Sequence, residues 1–167
     1  KGGTFNFPPR EQPTHACRRS MIAALKVIQT QNSLNPSPEQ RDWVSVVTFD
    51  KESPGPIVLQ SLTSDYVGAM TKCTEIQAVG DRDRSTATEN GMVTAKQHLA
   101  SAANGGSGRE WANKVIVVLT DGAPNVYQSS NASIDAYQTA NSSSEWYGGG
   151  YYWLDAPIMQ AMDMKTK

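Results

Sequence analysis

The apolar residues in the first third of the chain follow a helical spacing and then a run typical of a strand. A helix is predicted to begin after Pro13, with Thr14 as its cap. Residues at spacings of four, four and three form its apolar face: Cys17, Met21, Leu25 and Ile28. The run Trp43–Phe49 is rich in β-branched and aromatic residues and predicts a mostly buried strand that ends at Asp50.

The next elements are predicted to be an edge strand and a short helix. A turn over Lys51–Pro56 leads into Ile57–Leu62, a shorter run that is typical of an edge strand. Thr63 or Ser64 is then expected to cap a short helix through Tyr66 and Met70. The segment from Cys73 to Thr86 is polar and is predicted to be a loop.

The second half contains two predicted helices on either side of an unbroken apolar run. Thr88 is expected to start the first helix, whose apolar face is Met92, Ala95, Leu99 and Ala102 and which Asn104-Gly105-Gly106 ends. The run Lys114–Thr120 indicates a strand covered by helices on both faces. A polar, aromatic-rich insert over 126–153 precedes the last helix, Leu154–Met162.

This order of elements predicts a doubly wound α/β domain with a mostly parallel sheet and helices on both faces. The chain has 167 residues, the size of one domain, and residues 1–13 have the prolines of a loop. A net charge of −1 gives no reason to expect nucleic acid or an anionic membrane as a partner. No apolar run is long enough for a membrane span.

Two polar residues are candidates for a binding site. Asp121 ends the most buried predicted strand, and Gly122 lets the chain turn away at once. In doubly wound sheets, ligands bind beyond the carboxyl ends of the strands. Thr86 ends the polar loop before the Thr88 helix. The alternative is that Asp121-Gly122 is a plain turn and Thr86 an ordinary loop residue.

Together these segments resemble von Willebrand factor A domains. Val117-Val118-Leu119-Thr120-Asp121-Gly122-Ala123-Pro124-Asn125 resembles the fourth-strand motif of that family, and Thr86-Ala87-Thr88 its threonine loop. Arg41–Phe49 resembles its second strand, so that the likeness extends from Thr14 to Asn125. The resemblance implies a protein-binding module rather than an enzyme.

The resemblance also implies a metal-ion-dependent adhesion site. Thr86 and Asp121 would bind Mg²⁺, or Mn²⁺ or Ca²⁺, and the partner protein would offer an acidic side chain to the open coordination position. The family's Asp-x-Ser-x-Ser motif is missing from this chain. We therefore expect an incomplete domain over 1–167 that lacks its first, central strand and its C-terminal strands, and that binds metal only if the motif is supplied upstream.

Other interpretations remain open. Asp81 and Asp83 resemble the nucleophile motif of a Mg²⁺-dependent phosphatase, but Gln77–Gly80 before them is not an apolar strand. A metal-free structural domain with a degenerate site is the third alternative. The Asn/Ser/Gly-rich insert resembles bacterial surface proteins related to tight-adherence pilus assembly, which implies an extracytoplasmic or cell-surface location and a tether outside this segment.

Two further groups of residues have two interpretations each. Cys17 and Cys73 are either free thiols or, in an oxidising compartment, a disulfide, and the family's arrangement would bring them within bonding reach. The aromatic residues of the insert are predicted either to fold back as a lid or to form a contact surface near the metal. These residues are Trp146, Tyr147, Tyr151, Tyr152 and Trp153.

Overall fold

The computed structural model describes residues 13–49, 55–76, 85–120 and 122–165 of the chain. In these ranges the helices are α1 (Pro13–Asn32), α2 (Tyr66–Cys73), α3 (Thr88–Leu99), α4 (Asn131–Ala140) and α5 (Tyr152–Lys165), and the strands are β1 (Val44–Thr48) and β2 (Ile57–Thr63). Two short 3-10 helices cover Pro38–Gln40 and Ala102–Asn104. None of the helices described here has the length and apolar character needed to cross a bilayer.

The strands β1 and β2 pair antiparallel. Val44 lies opposite Thr63 and Thr48 lies opposite Ile57, with an irregular register between Val44 and Val47. The strands predicted over 43–49 and 57–62 are confirmed, with bounds that differ by one residue at most. Most of the turn predicted between them, including Asp50, lies outside the described residues.

The first hydrophobic core lies between α1, α2 and β1. Its buried members are Leu25, Val46, Ala69 and Cys73. Leu25 is the buried residue of the predicted α1 face, and Met21 packs against the same cluster. Full burial of a leucine side chain stabilises a fold by about 1.5–3 kcal/mol, so this face is what attaches the helix to the sheet. The predicted apolar face of α1 is confirmed.

Asn32 ends α1 and attaches it to the start of β1. Its side chain is buried, and Nδ2 donates to the backbone oxygen of Ile28 and to Oδ2 of Asp42, both at 2.9 Å. Oδ1 accepts from the backbone N–H of Asp42 at 2.9 Å. The Tyr66 hydroxyl donates to the Asp42 carbonyl at 2.7 Å, which adds α2 to the same junction. These bonds fix where α1 and α2 sit relative to β1.

The predicted caps of α1 and α2 are both wrong. Helix α1 already begins at Pro13, so Thr14 lies inside it. Strand β2 continues to Thr63, and the cap of α2 is Asp65, whose side chain accepts from the Gly68 N–H at 3.0 Å. Helix α3 does begin at Thr88, as predicted, and Ala87 occupies its capping position without a side-chain bond. A cap depends on where the chain turns, and propensity alone does not locate that turn.

Helix α3 otherwise follows its predicted pattern. Met92 is buried, while Ala95 and Leu99 are half-buried, and α3 packs against α5 and the end of β1. Ala102 is exposed because α3 ends at Leu99 and a 3-10 helix follows. Gly105 then adopts the left-handed conformation, with φ of +78°, which glycine accepts without strain.

The insert over 126–153, which has no predicted helix, contains α4. Ser130 caps this helix by accepting a hydrogen bond from the Ser133 N–H. Ile134 on α4 and Ala156 and Met159 on α5 form a second buried cluster, separate from the first. The helix is short and largely polar, so its stability comes from this packing and not from its own periodicity.

The strand predicted over 114–120 is wrong. These residues form no strand in the structure, and Val115 and Val117 are 76% and 77% exposed. The only sheet in the described ranges is the antiparallel pair β1–β2, so the predicted parallel doubly wound sheet is not formed there. An apolar run becomes a strand only beside another strand that pairs with its backbone, and the described residues place none next to 114–120.

Candidate functional site

Thr86 lies at the carboxyl end of β1, in the connection that leads into α3. The backbone N–H of Ala87 donates to the carbonyl of Phe49 at 3.2 Å, which holds this connection against the residue that follows β1. Gly91, one turn into α3, packs directly on the Phe49 side chain. The position of Thr86 is therefore set by β1 and by the first turn of α3.

The segment that follows the apolar run reaches the same place. The backbone N–H of Thr86 donates to Oδ1 of Asn125 at 2.7 Å, and the backbone N–H of Asn125 donates to the carbonyl of Thr86 at 3.2 Å. A Cβ atom on Gly122 would lie 3.0 Å from Oγ1 of Thr86. The structure thus brings the threonine loop and the Gly122 turn into contact, although the two are far apart in sequence.

Asp121 itself lies outside the described residues, directly before Gly122. On either side of it, the Thr120 hydroxyl accepts from the Gly122 N–H at 3.2 Å and donates to the Gly122 carbonyl at 3.0 Å. Asp81 and Asp83, which resemble a phosphatase nucleophile motif, also lie outside the described residues.

The oxygen atoms available beside Thr86 are of the type that binds a hard cation, but they are too few to complete its coordination. Thr86 offers a half-buried hydroxyl oxygen, and the missing side chain of Gly122 leaves room beside it. Magnesium takes six oxygen ligands, about two or more of which are commonly waters. The described residues contain no cluster of three or more His, Cys, Asp or Glu side chains able to hold a metal. Further oxygens, beginning with Asp121, are needed to complete a site.

A cavity of about 240 Å³ opens at the other end of β1. It is lined in part by Asn32, Arg41 and Tyr66, at the junction where β1 begins. Thr86 lies where β1 ends, so this cavity is not part of the candidate site.

Glu89, three residues after Thr86, is a residue that no pattern in the sequence singled out. Its carboxylate is fully buried in the first turn of α3. It accepts hydrogen bonds from the backbone N–H groups of Gln128 and Ser129 at 2.7 and 3.1 Å, from Nε2 of Gln160 at 3.0 Å, and from the Ser129 hydroxyl. A glutamate in the first turn of a helix is usually a solvated charge that favours the helix dipole. Only the fold shows that this one is buried against another segment.

The two cysteines lie on the packed helices α1 and α2, and no disulfide joins them in the described part of the chain. Burial raises the pKa of the Cys73 thiol above its ordinary value, and the neighbouring Cys17 raises this pKa further. Cys17 is half-buried and its Sγ lies 4.0 Å from Sδ of Met21. The pair is therefore near enough to interact electrostatically across the α1–α2 contact.

The aromatic residues of the insert divide into two groups. Trp146 and Tyr152 pack on the α4–α5 cluster, and Nε1 of Trp146 donates to the Asn141 carbonyl at 2.9 Å. Tyr147 and Tyr151 are 66% and 51% exposed. Trp153 is also exposed and forms an edge-to-face pair with Tyr151. One part of the group is thus packed against the α4–α5 cluster, and the contact surface near the metal stays a prediction.

Comparison with known proteins gives one match. The sequence profile of the von Willebrand factor type A domain matches residues 10–123, which include Thr86, Asp121 and Gly122. No match to a curated protein or to a solved structure was found. The matched range covers more than half of the chain and ends just after the turn that faces Thr86.

Proposed function

Because the chain belongs to the von Willebrand factor type A domain family, we propose that it binds a partner protein through a divalent cation held by Thr86 and Asp121. A protein-interaction role is the one that fits this family, and the family's doubly wound α/β fold is consistent with five helices and a two-stranded sheet as part of it. The observation that carries the proposal is the contact between Gly122, the neighbour of Asp121, and the Thr86 hydroxyl.

The roles of the residues follow from this contact. Asn125 forms hydrogen bonds with both the N–H and the carbonyl of Thr86. These bonds keep the Thr86 hydroxyl beside the Gly122 turn. The cation, Mg²⁺ or a similar hard ion such as Mn²⁺ or Ca²⁺, would supply the positive charge that an acidic side chain of the partner binds. Its remaining protein ligands would come from an Asp-x-Ser-x-Ser motif upstream of these residues.

The setting of this module is part of the proposal. The likeness of the 126–153 insert to tight-adherence pilus-assembly proteins favours an extracytoplasmic or cell-surface location, with a tether outside this segment. The exposed Tyr147, Tyr151 and Trp153 supply aromatic contact area of the kind that protein interfaces use. We expect no catalytic turnover, and a phosphate-ester assay with Mg²⁺ tests this expectation.

Calorimetric titration of the full-length protein with Mn²⁺ tests the metal site. Asp121→Ala should abolish detectable binding, and Thr86→Val, which keeps the shape but removes the hydroxyl, should weaken binding by about tenfold or more. Thr139→Val is the matched control, because it removes an exposed hydroxyl on α4. Unchanged Mn²⁺ affinity in Asp121→Ala would show that the site is wrongly assigned.

A further inference from the structure

Two sets of hydrogen bonds join the start of α3 to the segment after Gly122. The second set lies three residues further along both segments than the first. The first set connects Thr86 and Asn125 through their backbones and the Asn125 amide. Asn125 is exposed, so water competes for each of these hydrogen bonds. On their own they would hold the Gly122 turn against Thr86 only weakly.

The second set is shielded from water. The carboxylate of Glu89 is fully buried and receives the backbone N–H groups of Gln128 and Ser129. A carboxylate makes stronger hydrogen bonds than a neutral oxygen, and burial strengthens them further. Gln160 on α5 donates to the other carboxylate oxygen, so Glu89 also fixes this segment relative to α5.

The buried carboxylate of Glu89 depends on the hydrogen bonds that Gln128 and Ser129 donate to it. The donors to Glu89 are neutral groups, and no Lys, Arg or His forms an ion pair with it among the described residues. Moving the segment that carries Gln128 and Ser129 away would leave a buried charge without its donors, at a large cost in free energy. These bonds therefore favour the observed position of the segment, in which a Cβ atom on Gly122 would lie 3.0 Å from Oγ1 of Thr86.

We propose that Glu89 is the positioning residue of the Thr86 site: its buried carboxylate holds the segment 122–129 so that the Gly122 turn stays against Thr86. Glu89 does not touch the cation in this arrangement and acts through the backbone of Gln128 and Ser129. The consequence for metal binding rests on the proposed function, whereas the positioning of the segment does not.

The chain offers a matched control in Asp155. This carboxylate is equally buried, in the first turn of α5, and accepts from the backbone N–H groups of Tyr147 and Gly148 at 2.7 and 3.1 Å. Nε2 of Gln138 donates to it at 2.8 Å, as Gln160 does to Glu89. Asp155 thus has the same chemistry as Glu89 but holds a different segment.

Amide hydrogen exchange of the full-length protein without added metal distinguishes the two carboxylates. In Glu89→Gln, the amides of Thr86 and Asn125 should exchange about tenfold faster, with those of Tyr147 and Gly148 unchanged. In Asp155→Asn, the opposite pattern is expected. If Glu89→Gln does not fold, Ser129→Ala, which removes a single donor, should give a smaller acceleration at Asn125.

Two exchange results would overturn the proposal. In the first, Glu89→Gln accelerates Gln128 and Ser129 but leaves Thr86 and Asn125 unchanged. In the second, each variant accelerates the exchange of all four amides, those of Thr86, Asn125, Tyr147 and Gly148, equally. Glu89 would then be a general stabiliser of the fold.

A Mn²⁺ titration of the same variants adds the functional readout. Affinity should fall by about tenfold in Glu89→Gln and stay unchanged in Asp155→Asn. If the unmodified protein binds no Mn²⁺, the proposed function fails, while the exchange data still decide the role of Glu89.

Discussion

Gly91 packs so closely on Phe49 that a Cβ atom at residue 91 would lie 2.4 Å from the Cβ atom of Phe49. Gly91 is buried in α3, and Phe49 directly follows β1. We predict that Gly91→Ala destabilises the protein by about 1–3 kcal/mol, because the added methyl group forces α3 away from the end of β1. Urea denaturation followed by circular dichroism measures the change.

The sign of this effect separates packing from helix propensity. In an exposed helix interior, Gly to Ala stabilises by about 1 kcal/mol, so propensity alone predicts the opposite result. Gln97→Ala, on the exposed face of the same helix, should change the free energy of unfolding little. A more stable Gly91→Ala protein would contradict the packing of α3 against Phe49.

A methyl group at Gly122 should act on the site and not on the fold. It would lie 3.0 Å from Oγ1 of Thr86, and the backbone of Gly122 is not among the left-handed glycines of the described chain. We therefore predict that Gly122→Ala lowers Mn²⁺ affinity with little loss of stability. Unchanged Mn²⁺ affinity in Gly122→Ala would argue against a direct contact between residue 122 and the Thr86 hydroxyl.

Cys17 and Cys73 should form a disulfide when the protein is treated with oxidised glutathione. Each thiol gives up its hydrogen as the sulfur atoms join, and the glutathione disulfide is reduced to its thiols. A bond requires Cα atoms about 4.4–6.8 Å apart, which the α1–α2 packing makes possible. Mass spectrometry without reductant detects the linked peptide, with Cys17→Ser as the control. Absence of the linked peptide after this treatment would contradict the prediction.

The reduced protein should lose stability at high pH because of Cys73. Burial, and then the neighbouring Cys17, raise the pKa of the Cys73 thiol above its ordinary value of 9.0. Folding therefore favours the neutral thiol, and this contribution is present below pH 9.0 and lost as the pH rises through the higher folded pKa. Thermal melts of reduced protein should show the difference from Cys73→Ala shrinking as the pH rises past 9.0. A constant difference would contradict the shift.

The sequence predicts α1, α2, α3, α5 and the edge strand because their patterns are local, whereas α4 has no such pattern and was missed. The α1 face and the span of β2 follow from the spacing of neighbouring residues. The strand predicted over 114–120 is wrong because a strand needs a partner strand, and no local pattern shows whether one is present. Thr86 was found through a motif, whereas Glu89 was missed because the groups that surround it lie near residues 128 and 160.

A protein that consists of these 167 residues alone should have low stability. Val115 and Val117 expose most of their side chains, and a two-stranded sheet gives little stability by itself. Three buried polar atoms, Nε of Arg18, Oγ1 of Thr88 and Oδ1 of Asn90, have no hydrogen-bond partner in the described part of the chain, and each such atom costs about 1–3 kcal/mol. Net domain stability is only about 5–15 kcal/mol, so these costs are decisive.

We therefore expect this protein to aggregate or to melt without a cooperative transition. Val117→Lys should reduce the aggregation seen by light scattering, because the side chain is 77% exposed and a lysine there removes exposed apolar surface without disturbing packing. A soluble monomer with one sharp transition, which Val117→Lys destabilises strongly, would mean that the run 114–120 is a buried strand after all. The sequence interpretation of that run would then be right, and the exposed arrangement of Val115 and Val117 would be wrong.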